Sequence, residues 1–320
     1  MRRVDIVIPC YNSMHTIRPV VEDIMHTMCV DYQTRVILVN DYSSDGVWQV
    51  IKDLHSEFPN IIGIDLSRNF GQQSARMAAL KYVEGDYIIF MDDDGQHDPG
   101  YIPAMIDKID EGFDIVYASF KKKEQTIWKT WGSNFRQLTA TWLEEKPKGI
   151  HTSSFFATKR YVVDALKEYS SSTPVIFGYL MKITQNITSI QVPHRARIYG
   201  KTGYSFGKLV KLWLNAATSF SVVPLRLSSY LGFISSAVGI VTLIFIIIRK
   251  LINPQIAAGY TSTIALILLF SGIILVILGL IGEYIGKMFM SINRVPQYIV
   301  REVLDCQKTS QIELEDSKNV

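Results

Sequence analysis

Cysteine is scarce in this 320-residue chain. The three present, Cys10, Cys29 and Cys306, are odd in number and follow no recurring spacing, which excludes a disulfide framework and a cysteine zinc motif. They suit a main domain facing a reduced compartment. Charge is scarce too: 20% of residues are charged, and the net charge is only +3. So small a basic excess lacks the electrostatic footprint of a nucleic-acid binder, and no nucleic-acid partner is expected. Internal repeats are missing. With 48% apolar residues the chain can bury a core, which excludes general disorder. No secretory leader is expected either. MRRVDIVIPC reads as a short buried strand after a basic start, without the length of a leader's apolar region or a cleavage site.

What is present in excess is apolar sequence, and it is unevenly spread (mean hydropathy +0.14). Up to about Val223 the chain reads as soluble α/β protein; from Leu227 to Gly282 it is nearly free of charge. Leu227 to Ile248 holds no charged residue and ends in GIVTLIFIII. At ~1.5 Å per residue such a helix reaches roughly 33 Å, enough for a hydrocarbon core of about 30 Å. A second uncharged run follows Arg249 and Lys250, with TIALILLFSGIILVILGLIG as its dense part. The two predict a transmembrane hairpin over 227–285, with spans near 229–248 and 262–282. Lys208, Lys211, Arg226, Lys287, Arg294 and Arg301 flank one side, against Arg249 and Lys250 on the other. That asymmetry puts the large domain and both termini in the cytoplasm, on a multi-pass plasma-membrane protein.

Before the hairpin, VDIVIP, RVILVN, Ile61–Leu66 and YIIFM are short apolar runs, each with turn signals after it. Helical patterns lie between and after them, over about 15–28, 46–57, 72–83 and 100–111. This alternation predicts a mostly parallel sheet with helices on both faces, which binds ligands beyond the carboxyl ends of its strands. Polar clusters sit at those ends: Tyr11-Asn12, Asp41 to Asp45, Arg68-Asn69 and Asp92-Asp93-Asp94. In an extended chain Asp92 and Asp94 point the same way. Carboxylates that close repel unless a cation lies between them. A hard divalent ion, Mg2+ or Mn2+, is the expected answer, with Gln96 offering a third oxygen and open positions left for phosphates. Asp98-Pro99 reads instead as a cap and first-turn proline, and His97 as a solvated turn histidine.

PCYN, NDYSSDG, RNFGQQSARMAAL and DDDGQHDP, in that order and spacing, resemble the family 2 glycosyltransferases with the GT-A fold. With the hairpin, residues 4–300 resemble the polyisoprenyl-phosphate glycosyltransferases, the group of dolichol-phosphate mannose synthases and bactoprenol glucosyltransferases. The resemblance implies a GT-A domain over 1–204, an amphipathic interfacial helix over 205–226, the hairpin, and a cytoplasmic tail over 286–320. It implies that Pro9, Tyr11, Asn12, Asp41, Asp45, Gln72, Asp92 and Asp93 bind the nucleotide-sugar, with Asp41 accepting from the base's ring N–H. For Asp41 and Asp45 local Asx turns, and a cap for the helix from Val47, stay open. It implies Asp92, Asp94 and Gln96 as metal ligands. The implied reaction moves a sugar from a nucleotide-sugar, UDP-linked by preference, to a polyprenyl phosphate such as undecaprenyl phosphate, with inversion.

A phosphate monoester is already largely ionised at neutral pH (second pKa about 6), so it needs placement more than a general base. That suits a departure from the family: many relatives carry an aspartate in the stretch matching Thr152 to Phe156, where this chain has hydroxyls. Asp93 and Asp94 remain as catalytic candidates. Lys121, Arg136, Arg197 and Lys201 are candidates for the acceptor phosphate; RIYGKTGYS resembles the family's R-x-x-G-x-S-K-Y with Thr202 and Gly203 substituted. Lys122 and Lys123 read as a solvated loop near anionic head groups. Phe206 to Val222 carries apolar residues at helical spacing beside Lys208 and Lys211, which suits a helix in the membrane interface and would bring the site's rim to the bilayer. Expected partners are the two substrates and the lipid bilayer. Family analogy adds a homo-oligomer, a flippase and a downstream membrane glycosyltransferase. A processive polysaccharide synthase is disfavoured because no tryptophan follows an arginine. A glycolipid or diacylglycerol hydroxyl acceptor would need a general base, and a non-catalytic scaffold would not keep all three acidic-loop oxygens.

Overall fold

The structure, a computed structural model, describes residues 1–28, 31–120, 152–169, 171, 174–193, 195, 223–252, 260–293 and 295–305. These fall into two units, one on either side of residues 205–293 in sequence and the other within them.

The first unit is built on strands β1 (Arg2–Cys10), β2 (Tyr32–Asn40), β3 (Ile61–Leu66), β4 (Tyr87–Phe90), β5 (Ile115–Phe120), β6 (Phe156–Lys159), β7 (Ile187–Val192) and β8 (Val300–Leu304). They form one sheet in the order β7-β5-β6-β4-β1-β2-β3-β8. Four neighbour pairs are parallel, β1·β2, β1·β4, β2·β3 and β5·β7; β3·β8, β4·β6 and β5·β6 are antiparallel. The expected mostly parallel sheet is therefore present, and its first four strands fall on the predicted runs.

β1 is buried continuously from Val4 to Cys10, because helices cover both faces of a central parallel strand. Side chains alternate across it. Val4, Ile6 and Ile8 enter the layer under α1 (Ile17–Met28), α2 (Val47–Glu57) and α4 (Ile102–Asp110). Val7 enters the opposite layer with α3 (Gln72–Ala79), α5 (Arg160–Lys167) and α6 (Ile176–Ile183). α1 buries Ile17, Val20, Val21, Ile24, Met25 and Met28, the stripe its periodicity predicts.

Strand order places the ligand site. The chain steps from β1 outward to β2 and β3, then crosses to the other side of β1 with β4. The switch point lies between β1 and β4, and the loops leaving those strands are the ones that flank a crevice there.

β8 corrects the expectation of a tail. After the second long helix the chain returns to the first unit, and Val300–Leu304 pairs antiparallel with β3. Ser67 N–H donates to the Ile299 carbonyl at 2.9 Å, and Gln297 Nε2 to the Tyr169 carbonyl at 2.7 Å. Arg301 pairs with the buried Asp65.

The second unit consists of helices α7 (Val223–Ile252) and α8 (Tyr260–Ile292), packed on one another. Their 30 and 33 residues exceed the expected spans at both ends. Among the described residues, Phe270–Ile292 is long and apolar enough to cross a membrane (23 residues, mean hydropathy 1.9), while the apolar stretch in α7, Ser228–Thr242, is shorter. Large apolar side chains such as Phe233, Leu275, Val276 and Phe289 are exposed. Ser228 and Ser229 donate to the Leu225 carbonyl, and Thr242 to that of Val238, so these hydroxyls are satisfied inside the helix. The hairpin's connection and the predicted interfacial helix up to residue 222 lie outside the described residues.

Candidate active site

The loops leaving β1, β2, β3 and β4 are hydrogen-bonded into one continuous rim. Each loop is held by side chains from its neighbour. After β1, Tyr11 N–H donates to Asp93 Oδ2 at 3.0 Å, closing the switch point between β1 and β4. Asn12 N–H donates to Ser43 Oγ at 3.0 Å, and Asn12 Oδ1 accepts Ser44 N–H at 3.1 Å. Asn12 has φ 53, a left-handed backbone that asparagine tolerates. Tyr42 has φ 57 and is exposed; a bulky residue in that conformation marks a loop over-determined by its surroundings.

Asp45 and Asp41 are clips between loops. The Asp45 carboxylate accepts Met14 N–H at 2.8 Å and Val47 N–H at 3.1 Å, joining the β1 and β2 loops and the start of α2. Asp41 is 2% exposed, and its oxygens accept the N–H groups of Phe70 and Gly71 at 2.7 and 2.8 Å. Burial raises its pKa, against the pull of those two amides. Gly71 has φ 90 and ψ 155, a conformation open in practice to glycine, which turns the chain into α3 there. Asp45 therefore has the local turn-and-cap employment left open by the sequence, while Asp41 is engaged by the β3 loop rather than by its own turn. Pro9 lies near the end of β1, paired with Val39.

The acidic loop follows β4. Asp92 Oδ1 accepts from Gln72 Nε2 at 2.7 Å and from Arg76 Nη2 at 2.9 Å, and Asp92 Oδ2 accepts from Ser154 Oγ at 2.5 Å. Arg76 was not singled out from the sequence, and Ser154 stood out only as one of the hydroxyls in the stretch where relatives carry an aspartate. Arg76 is wholly buried; burial lowers its pKa while Asp92 pulls it up. Asp93 is pushed up to about 6, chiefly by burial, with the Tyr11 amide opposing. Asp94 Oδ1 accepts Gln96 N–H at 3.1 Å, which folds the loop tip back on itself.

His97 corrects an expectation. It is 6% exposed, stacked on Phe155 with centroids 5.0 Å apart, and its Nδ1 accepts Asp92 N–H at 3.0 Å. The neutral ring then carries its proton on Nε2. It is part of the loop's support rather than a solvated turn residue. Asp98 caps as expected: Oδ1 accepts Gly100 N–H at 2.9 Å with Pro99 in the first turn. It also pairs with Arg195 at 2.8 Å.

Among the described residues no three His, Cys, Asp or Glu side chains converge as a metal cage. Hard oxygens are nonetheless gathered at the loop tip, and Mg2+-type sites commonly use one or two carboxylates and complete their shell with water and substrate phosphates. The residues fit such an ion in that mode. The rim thus brings together Tyr11, Asn12, Asp41, Asp45, Gln72, Asp92, Asp93, Asp94 and Gln96. Lys121, Arg136, Arg197 and Lys201 lie outside the described residues.

Comparison with known proteins agrees with this architecture. The family model described as glycosyl transferase family 2 matches residues 5–169, and that of the GtrB C-terminal hairpin matches residues 223–288. The glycosyltransferase YkcC of Bacillus subtilis is 33% identical over 93% of each chain. The undecaprenyl-phosphate 4-deoxy-4-formamido-L-arabinose transferase of Salmonella paratyphi B is 30% identical, covering 97% of this chain and 96% of its own. Among solved structures, glucosyl-3-phosphoglycerate synthase of Mycobacterium tuberculosis in complex with UDP superposes with a TM-score of 0.52 at 17% identity, over 68% of this chain and 79% of that one. The same enzyme has been crystallised with Mn2+ and UDP-glucose. At that identity the likeness concerns the fold, the GT-A fold.

Proposed function

The chain belongs to glycosyl transferase family 2 and is a glycosyltransferase; from that premise we propose that it transfers a sugar from a nucleotide-sugar, UDP-linked by preference, to a polyprenyl phosphate such as undecaprenyl phosphate. The observation that carries the proposal is the acidic loop at the switch point, tied to the β1 loop through Tyr11 and Asp93. Relatives named as undecaprenyl-phosphate transferases match it over nearly their whole length, which supports the acceptor. The long apolar helices support a membrane location, and the excess of lysine and arginine on their outer flanks supports both termini in the cytoplasm, with residues 1–204 as the glycosyltransferase domain, 205–226 as an interfacial helix and 227–285 as the hairpin.

The reaction forms a bond between an acceptor phosphate oxygen and the anomeric carbon as the bond from that carbon to the nucleoside diphosphate breaks. Attack from the face opposite the leaving group inverts the centre. Asp92, Asp94 and Gln96 would hold a divalent cation, whose chemistry there would be to neutralise the diphosphate's charge. The chain's own part is placement. Tyr11, Asn12 and the loops clipped by Asp41 and Asp45 shape the nucleotide's seat, and Gln72 orients Asp92. If the acceptor arrives as the monoanion, Asp93 or Asp94 takes its proton. Lys121, Arg136, Arg197 and Lys201 supply the acceptor's cationic seat in this reading.

The test is turnover by the full chain in detergent, with undecaprenyl phosphate, Mg2+ or Mn2+, and a panel of radiolabelled UDP- and GDP-sugars. The expected result is a labelled, mild-acid-labile lipid with one donor, lost in Asp94→Asn. Label passing to a diacylglycerol or glycolipid hydroxyl instead would overturn the acceptor. Binding of a nucleotide-sugar without transfer to any lipid would overturn the reaction.

A further inference from the structure

Arg76 is an odd residue for its place. It lies in α3 between Ala75 and Met77, and it is 0% exposed. Its Cζ is 6.0 Å from the rings of both Phe90 and Phe177. A guanidinium does not give up its proton, and its five N–H donors ask for partners. Here Nη2 donates to Asp92 Oδ1 at 2.9 Å and reaches the Ser154 carbonyl at 3.3 Å, while Nε and Nη1 have no hydrogen-bond partner among the described residues. As a core element this is a poor arrangement, since an apolar side chain of similar length would fill the space without stranding donors. Packing therefore does not account for the arginine. What it does accomplish is fixation of Asp92. With Gln72 on the same oxygen and Ser154 Oγ on the other, the carboxylate is held from α3 and from the segment before β6 at once.

We propose that Arg76 is a positioning residue for the donor site: its buried guanidinium fixes the Asp92 carboxylate in one orientation and so shapes the acidic loop before metal and nucleotide arrive. This rests on the reading of that loop as the donor site. Asp92 lies beside Asp93 and Asp94, and three consecutive carboxylates repel one another and would spread the loop. One internal counter-charge beneath the first of them removes part of that repulsion. Ser154 contributes a donor where a carboxylate would have added a further negative charge.

The experiment measures binding of the Mn2+·UDP complex to the full chain in detergent by calorimetry, with thermal unfolding of each variant as a companion readout. Arg76→Met is expected to weaken binding by the folded protein about tenfold, the scale on which supporting contacts act at metal sites. Arg76→Lys recovers part of that loss, keeping the charge but not the fork. Because Arg76 acts through Asp92, the Arg76→Met/Asp92→Asn double variant binds no worse than Asp92→Asn alone. Ser154→Ala weakens binding in the same direction and serves if Arg76→Met does not fold. Unchanged binding in Arg76→Met, or losses that multiply in the double variant, would overturn the proposal. Asp94→Asn separates the two levels. If it abolishes binding while Arg76→Met binds like the wild type, the site stands and the role of Arg76 falls. If Asp94→Asn binds like the wild type, the donor site is elsewhere and the proposal falls with it.

Discussion

The two ends of the central sheet treat their charges differently. At the amino end carboxylates meet cations. Asp5 takes Arg35 through two hydrogen bonds at 2.9 and 2.8 Å and also accepts the N–H groups of Glu84 and Gly85. Arg3 pairs with Asp86 at 2.7 Å and Lys159 with Asp114 at 2.9 Å, and both carboxyls are held below their usual pKa. At the carboxyl end Asp41 and Asp93 rest on backbone amides, and burial raises their pKa. There Asp92 meets the buried guanidinium of Arg76. The amino end closes its electrostatics within the chain; the carboxyl end also pairs Asp65 and Asp98, but its acidic loop leaves negative charge that a cation and a diphosphate could complete. Matched charges stabilise the fold, and unmatched ones concentrate where ligands bind.

The largest effect is expected on removing an ion pair at the amino end. Asp5→Ala strands the half-buried Arg35 and two amides, and should cost about 3–5 kcal/mol of stability with little change in turnover per folded molecule. Chemical denaturation combined with an active-site titration separates the two effects. Asp94→Asn should do the reverse: turnover falls about 100- to 1,000-fold while the thermal midpoint hardly moves. A large loss of stability there would erase the distinction between the ends.

The two ends also respond oppositely to acid. Asp93 binds its proton more tightly in the folded chain, about 6 against an ordinary 3.8, so metal-free protein loses stability as pH rises from about 4 to 6. Asp86 and Asp114 work the other way: their contribution is complete above the ordinary carboxylate range and is lost as pH falls below it. Thermal midpoints across pH should therefore show a descending limb above pH 4 that Asp93→Asn flattens, worth roughly a few degrees. The smallest effect belongs to the exposed pair Arg18–Glu57, at 2.7 Å: Arg18→Ala should change stability by about 0–1 kcal/mol, and less in high salt.

Much of the first unit was legible because β1 to β4 are continuous apolar runs separated by amphipathic helices. β6 was not, since FATK is too short to carry a pattern, and β8 was hidden because VREVL puts two charges in five residues. Those charges face partners: Arg301 reaches Asp65, and Glu302 accepts from Trp48 Nε1. At the site, three consecutive carboxylates after a strand announced themselves. Arg76 did not, because a lone arginine in a helix normally lies at the surface. The signal was its company, Ser74, Ala75, Ala78 and Ala79, small residues that pack closely and are all buried. His97 escaped for a related reason: the aromatic shelf of Phe155 and Phe120 that buries it comes from distant sequence.

On the proposed function, the carboxyl rim is left electrostatically incomplete for a metal-bound nucleotide. Calorimetric titration of UDP into the full chain, with Mn2+ and then with EDTA, tests it most directly. The account predicts binding with Mn2+ that weakens more than about tenfold when the metal is removed. Equal affinity in both conditions would contradict it.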